Sequence, residues 1–325
     1  MKKIICRVKA FLKDIQFRNQ IRRVYSSDSR YQLQHLRGLC KDSKDKSDAD
    51  IMLVMHALEK GMSFPVKKEG FGKEKSSALV DMLNKHISLY GIDRQVIVAT
   101  NILNVYIHDS YSVRDVDVRE KIKQYLVSNK AILSDEIGGV KKVSMPLDNP
   151  GFDAIMKFYE SRTSVREYSE EPLSKEEINK AIELAMTTPS ACNRQASRVY
   201  VVQEKKKIAE VMENQLGDQG WCNRANTLFV VTSVSTYFGS LYERKEPYID
   251  GGMFAMNLVM GLHAQNIACC FKMYIRHPDI DKRIRNILSI PENEVPIILV
   301  LAGHYPDHKI KSPISIRNKI NYEIQ

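Results

Sequence analysis

Four short segments of this sequence carry side chains suited to ligand chemistry. Between Arg162 and Arg166, in the run Ser161-Arg162-Thr163-Ser164-Val165-Arg166-Glu167-Tyr168, two guanidiniums and two hydroxyls fall within five residues. Arginine offers forked, charged donors, and each charge-assisted bond to a phosphate contributes about 1.5–3 kcal/mol. Taken alone, the same composition also describes a solvated, arginine-rich turn. A second segment, Thr188-Pro189-Ser190-Ala191-Cys192-Asn193-Arg194-Gln195, combines small and amide-bearing residues. Small side chains admit a planar ligand to the backbone, and amides match alternating donors and acceptors on a heterocycle edge; the plainer reading is a helix-to-strand loop. The third, Asp250-Gly251-Gly252-Met253-Phe254-Ala255-Met256-Asn257-Leu258, opens an apolar helix on glycines, which permits close approach of a ligand or of another helix. The fourth, Gly303-His304-Tyr305-Pro306 followed by Arg317, is a strand exit plus a cation.

In this order and at these separations the segments resemble the nitroreductase family. The resemblance spans Phe152 to Gln325 and joins an R-x-S-x-R segment, a P-S-x-x-N-x-Q loop, a D-x-G-x-x-x-x-N-L helix start and a G-x-x-P exit, written on residues 162–166, 189–195, 250–258 and 303–306. It implies an α+β fold, a mixed sheet wrapped by helices, assembled as an intertwined homodimer with two FMN sites at the subunit interface. By position, Arg162 and Ser164 would hold the FMN phosphate with Arg317, and Arg166 would sit near the pyrimidine end of the ring, where a cation favours the negatively charged reduced flavin. Pro189, Ser190 and Ala191 would contact the flavin bound mainly by the other subunit, with Asn193 and Gln195 as polar support and Gly252 at the start of the central dimer helix. Two positions depart from the family pattern. Thr163 stands where many relatives carry a second arginine, and Lys272-Met273-Tyr274-Ile275-Arg276 lacks the glycine often found beside flavin N5, so no N5 donor is assigned.

The activity implied is that of an FMN-dependent NAD(P)H oxidoreductase. Hydride passes from the nicotinamide to flavin N5, and an acceptor then stacks on the same face at roughly 3–3.5 Å, giving ping-pong kinetics without a side-chain nucleophile or general base. The acceptor is a small molecule: a nitroaromatic, a quinone or a dedicated metabolite. Two other readings stand beside this one, a biosynthetic flavin dehydrogenase with a dedicated substrate and a flavinless scaffold recruited by its N-terminal helix.

The elements that must position these residues are legible from residue 151 onwards. Short β-branched runs at Val199–Val202, Leu228–Val234, Ala268–Tyr274 and Val295–Ala302 read as strands. Helices alternate with them over Phe152–Glu160, from Ser174 with Glu177 at capping-box spacing, and over Gly251–Asn266. Residues 1–150 read instead as a helical region outside the resemblance. Its clearest periodic pieces are Asp50–Lys60, Lys75–Tyr90, Arg94–Ile107 and Val113–Asn129, broken at Gly38, by a charge-rich loop over Lys41–Asp50, and at Gly61–Gly72. A breaker-rich stretch, Gly138-Gly139, Pro146 and Pro150, marks the boundary with the FMN domain of residues 151–325. His56 and Glu59 fall at helical spacing, better suited to a surface pair than to a substrate site.

Charge narrows the remaining classes. The net charge of +10 concentrates at the start, where residues 1–24 carry eight Lys or Arg against Asp14 alone. There Ile4, Ile5, Val8, Phe11, Leu12, Ile15 and Phe17 recur mostly at three- and four-residue steps, the pattern of a basic amphipathic helix. Such a helix suits an anionic membrane, a partner protein, or simply its own domain. No recognition motif accompanies the charge, which excludes nucleic-acid binding. The six cysteines show neither zinc spacing nor a disulfide framework, and no apolar run approaches a membrane span, so the chain reads as a cytoplasmic protein without a metal.

Overall fold

The computed structural model describes residues 2–134, 137–141, 143, 148–213, 215, 220–320 and 322–324, with side chains from residue 11 onwards except Asn223. Pro146 of the expected boundary lies outside them, as do the side chains of Ile4, Ile5 and Val8.

The first helix, α1 (Lys2–His35), continues well past the 24 residues that the basic stretch suggests. Its apolar residues do not keep one stripe. At about 100° per residue, Phe17 lies roughly 200° round the axis from Ile15, and Phe11 (65%), Phe17 (60%) and Tyr25 (71%) all face solvent. What fastens α1 lies near its end, where Tyr31 Oη meets Ser235 Oγ at 2.9 Å and the following Leu36 is buried.

Four helices then make a bundle: α2 (Lys44–Ser63), α3 (Lys73–Tyr90), α4 (Arg94–His108) and α5 (Val116–Ser128). The segment Lys41–Asp50, expected to be a loop, belongs to α2 from Lys44 onwards. Ser43 supplies the reason, since its side chain accepts the Lys46 N–H, and Lys44 bonds Asp48 one turn on at 3.0 Å. Asp93 and Asp115 cap α4 and α5 in the same way. The bundle buries Ile51, Met52, Leu58, Leu79, Leu83, Ile102, Leu103 and Ile122, and its core is continuous with Ala196, Val234, Tyr237 and Phe238 from the C-terminal half. Gly138 and Gly139 lie against Val98, Ile102 and Val105 of α4, so the chain leaves the bundle while still packed on it.

The C-terminal half is a three-layer structure. Strands β1 (Ser197–Val202), β2 (Thr227–Val234), β3 (Ile267–Met273) and β4 (Glu294–His304) form one sheet in the order β1-β2-β4-β3. Neighbouring residues of β2 point to opposite faces. Leu228 and Val230 pack with α8 (Lys205–Glu213) and α10 (Pro278–Leu288), whereas Phe229 and Val231 pack with α7 (Lys175–Met186) and α9 (Glu246–His263). A strand covered on both faces must be apolar throughout, and β2 is buried at every position. All three ladders are antiparallel. The mixed sheet implied by the resemblance would need a parallel neighbour, which no described strand of this protomer supplies.

Two of the helices are set by details of sequence. The capping box opens α7 as the spacing predicts, with Ser174 and Glu177 bonded reciprocally. Helix α9 begins five residues before Gly251, and it lies so close to its neighbours that a methyl on Gly251 would meet Ile297 at 2.7 Å and one on Gly261 would meet the Ala181 backbone at 2.9 Å. Helix α6 (Phe152–Ser161) leads into the first ligand segment. Beyond β4 the chain carries no regular structure over its described residues and leaves Ile314, Ile316, Ile320 and Tyr322 exposed. Among the described residues no helix is long and apolar enough to cross a membrane.

The start and the remainder of the helical region therefore differ in what removal does. Deleting residues 1–20 takes away, among the described side chains, only exposed ones, and Tm is expected to move by about 2 °C or less. Deleting residues 1–134 uncovers Val234, Tyr237 and Phe238, and the remaining chain is expected to aggregate. Calorimetry and soluble yield of the two truncations check this.

Candidate functional site

The first segment leaves α6 as extended chain and runs beside the edge strand β3, with the Val165 N–H donated to Cys269 O at 3.0 Å. That contact fixes the alternation, turning Val165 into the core and leaving Arg162, Thr163 and Ser164 half-buried. Burial pushes the Cys269 thiol up to about 12 and the nearby Arg162 guanidinium partly opposes it, which places this cation at the strand edge. Ser312 returns across the segment, sharing a hydrogen bond with the Thr163 hydroxyl and donating to Ser164 O at 3.1 Å. Sequence reasoning missed this hydroxyl, which has no local signal. Arg317, expected beside Arg162 and Ser164, is bonded to neither among the described residues; its Nη1 donates to Ser315 O at 2.9 Å. Arg166 is exposed, with its guanidinium 5.4 Å from the Trp221 ring.

The second segment lies at the other end of the sheet order, between α7 and β1. It is a wound loop in which three residues with side chains, Cys192, Asn193 and Gln195, have φ of 53°, 53° and 52°. Such conformations cost about 1–3 kcal/mol each and persist only where the surroundings hold them. Ser190 holds them from within, its carbonyl accepting Asn193 N–H and its Oγ accepting Gln195 N–H, both at 2.9 Å. Arg194, almost fully buried, pairs with Glu243 at 2.5 Å beneath the loop. Burial raises the Glu243 carboxyl, but Arg194 and the N–H groups of Gly239 and Ser240 outweigh it and hold it below its ordinary value.

Helix α9 holds the loop from outside. Asp250 accepts the Ala191 N–H at 3.1 Å, and Asn257 Nδ2 donates to Thr188 Oγ1 at 2.7 Å. Seven residues make nearly two helical turns, so the two side chains share a face. Burial pushes the Asp250 carboxyl above its usual range, partly opposed by the Ala191 N–H. Both residues stand in the third segment, where the sequence drew attention to the glycines. The seven-residue spacing was the available signal. Gly252 itself is exposed, with no atom near the place a methyl would occupy.

A cavity of about 620 Å³ opens on this loop, within the size range of small-molecule sites. Pro189, Ser190, Asn193 and Gln195 form one side, with Phe254 and Met186. The opposite side comes from the helical region: Met52, Met55 and Glu59 of α2 and Arg94, Gln95 and Val98 of α4. Glu59, which the sequence suggested as half of a surface pair with His56, is so paired and also lines the cavity. It accepts the Gly139 N–H at 3.1 Å and stands 3.6 Å from His56.

The expected site residues thus fall into two groups. Arg162, Thr163, Ser164 and Arg166 lie on the β3 side, whereas Pro189, Ser190, Ala191, Asn193 and Gln195 lead into β1, the opposite edge of the sheet. After β3, Arg276 is occupied by the protein, 4.4 Å from the Tyr248 ring and bonded to Pro296 O. Elsewhere, Asp48, His86 and Asp93 converge with the spacing of a cation site. Lys44 Nζ already supplies the cation, 3.0 Å from Asp48 and 2.5 Å from Asp93.

The chain matches the model of the nitroreductase family over residues 159–219 and 209–304. It is 26% identical over 159 residues to a protein of Archaeoglobus fulgidus named as an NADH dehydrogenase/NAD(P)H nitroreductase, covering 48% of this chain and 88% of that one. It is 31% identical over 71 residues to an FMN reductase [NAD(P)H] of Bacillus subtilis, covering 22% and 28% respectively. Among solved structures, a Parabacteroides distasonis protein named as an NADH dehydrogenase/NAD(P)H nitroreductase aligns with a TM-score of 0.44 at 23% identity, over 52% of this chain and 94% of that one. Residues 2–158, with the helical bundle, stand outside the family match, and the part of the chain that holds the sheet and both segments is the part that matches the nitroreductase family model.

Proposed function

We propose that the chain is an FMN-dependent NAD(P)H oxidoreductase that works as a homodimer, each flavin site drawing on both protomers. Residues 151–325 serve as the flavin domain and the helical region completes the cavity beside it. The relatives' names support the cofactor and reductant. One observation carries the assembly. The arginine segment and the Pro189–Gln195 loop occupy opposite edges of one four-stranded sheet, about 14 Å apart at ordinary strand spacing. A second copy would set its loop against the first copy's Arg162–Arg166.

The surface supports the same assembly. Phe152 is 77% exposed on α6, Ile249 and Met253 are exposed on α9, and the last twelve residues display isoleucines to solvent. Large apolar side chains exposed in number fit a face that a partner covers. Gly252, open on the exposed side of α9, leaves room for a close approach there.

These residues fit a flavin mononucleotide. Half-buried Arg162 and Ser164 suit a terminal phosphate, and small side chains at Pro189, Ser190 and Ala191 leave their backbone approachable by a flat ring. Bound FMN supplies two-electron exchange between NAD(P)H and an acceptor. The chain's own residues orient and bias it: Arg162 and Ser164 anchor the phosphate, Arg166 places a cation near the ring, and Asp250 and Asn257 keep the loop in its wound form. The described cysteines form no disulfide with one another, which supports a reducing, cytoplasmic setting.

Three outcomes test this. Purified protein is expected to be yellow, with a band near ~450 nm from the flavin, and to release FMN on heating; FAD in that chromatogram contradicts the phosphate assignment, and an active, flavin-loaded monomer in sedimentation contradicts the assembly. Arg162→Ala is expected to weaken FMN binding by about ten- to hundredfold, while Arg166→Ala at saturating FMN lowers the reduction potential and slows hydride acceptance. Dye equilibration and fluorescence recovery on flavin release separate the two, and an unchanged potential in Arg166→Ala makes that arginine a surface residue. Asp250→Ala leaves the Ala191 N–H without its buried acceptor, at a cost of about 1–3 kcal/mol, so it should speed flavin release and lower Tm together.

A further inference from the structure

The cavity wall supplied by α2 and α4 lies outside the family match, so its chemistry belongs to this chain in particular. Its middle is apolar. Met52, Met55 and Val98 line it together with Ile182, Met186 and Phe254, a lining of flexible thioethers and an aromatic ring that favours a flat, largely apolar body. The charged groups on the lining are mostly committed elsewhere. Asp250 holds Ala191, Glu59 accepts Gly139 N–H, and Arg198 donates to Gln195 O, Ser197 O and Tyr237 Oη at 3.0, 2.9 and 3.2 Å.

Arg94 differs. It is the first residue of α4, exposed at the cavity's edge, and it has no hydrogen bond or ion pair among the described residues. The backbone donors beside it are already taken, since Asp93 Oδ1 accepts Gln95 N–H at 3.0 Å and Val96 N–H at 3.2 Å. The guanidinium is therefore the group at this edge left to meet an anion.

We infer that the helical region is the acceptor-selecting wall of the site, and that the acceptor carries an apolar, planar body between Met55 and Phe254 and an anionic group paired with Arg94. This rests on the flavin reading for the reaction but not for the binding. For a quinone acceptor, hydride from NAD(P)H and a proton from solvent together give the hydroquinone and NAD(P)+, so no further oxidant or reductant is needed. An anionic substituent outside the quinone ring is unchanged by that step and serves for recognition alone.

The test uses 1,4-naphthoquinone and its 2-sulfonate with full-length holoenzyme, comparing wild type with Arg94→Glu and Gln95→Trp. Arg94 is exposed and Gln95 half-buried, so neither change disturbs the core. Arg94→Glu is expected to lower the ratio of kcat/KM for the sulfonate to that for the parent quinone by about tenfold, the scale of one partly exposed charge-assisted contact. Equilibrium dialysis of the sulfonate against oxidised protein, which needs no turnover, should show the same loss. Gln95→Trp, which narrows the opening from the α4 side, should raise KM for both quinones while leaving FMN affinity as in wild type. If Arg94→Glu moves both quinones equally, or dialysis finds the sulfonate bound as tightly as to wild type, the anion assignment is overturned. A Gln95→Trp enzyme with wild-type KM for both overturns the wall. Absent turnover in all three proteins with intact dialysis differences would instead fault the flavin reading and leave this one standing.

Discussion

A buried carboxylate ties the loop beside the cavity to the core of the C-terminal half. Asp250 sits on α9, which is locked to the sheet and to α7 by glycines that admit no methyl. Its Oδ2 receives the backbone N–H of Ala191, in a loop whose next residues adopt left-handed conformations at three non-glycine positions. Left to itself such a loop would relax, because every one of those residues has lower-energy conformations elsewhere. The helix supplies the restraint. A rigid core element thus transmits its position to a strained surface segment through one charge-assisted bond, with Asn257 adding a second seven residues on. Arg194 and Glu243 complete the support from below, and the buried guanidinium is tolerable because its charge is paired in place.

The helical bundle depends on the same end of the molecule. Its core includes Ala196, one residue after the wound loop, Val234 at the end of the central strand β2, and Tyr237 and Phe238 just beyond it. The hydrophobic contact between bundle and sheet is therefore made where the loop enters β1. This explains why the cavity forms at that seam. The loop cannot be packed over by the bundle without burying its exposed amides, Asn193 and Gln195, and such groups remain at a boundary that water or a ligand can reach.

How much of this was legible beforehand follows from the range of the interactions. Strand positions were readable because β-branched runs mark strands locally, and both ends of each run fall within two residues of the ends of β1 through β4. The capping box of α7 was equally readable, since its partners are three residues apart. The Lys41–Asp50 segment misled because charge density resembles a loop, whereas a serine cap and an i, i+4 ion pair make it helical. Glu59 and Gly139, Arg194 and Glu243, or Thr163 and Ser312 are joined across long separations with no periodicity linking them. The four ligand segments were found by residue type and order. Their division between opposite sheet edges depends on strand order, which no local pattern encodes.

That division has a consequence for how the molecule can vary. The arginine segment is fixed by the backbone of β3, and the cavity is walled by elements on the β1 side. Substitutions in α2 or α4 reach the cavity through Met52, Met55, Glu59, Arg94 and Gln95 without touching Arg162, Thr163 or Ser164. Interactions at separate places with no shared partner change nearly independently in free energy. A helical extension attached at this edge can therefore reshape the cavity while leaving the arginine segment as it was. The same extension placed over β3 would have covered Arg162 and Ser164 themselves. Attachment by way of Ala196 and Phe238, rather than by a flexible tether, keeps the wall in register with the loop it faces.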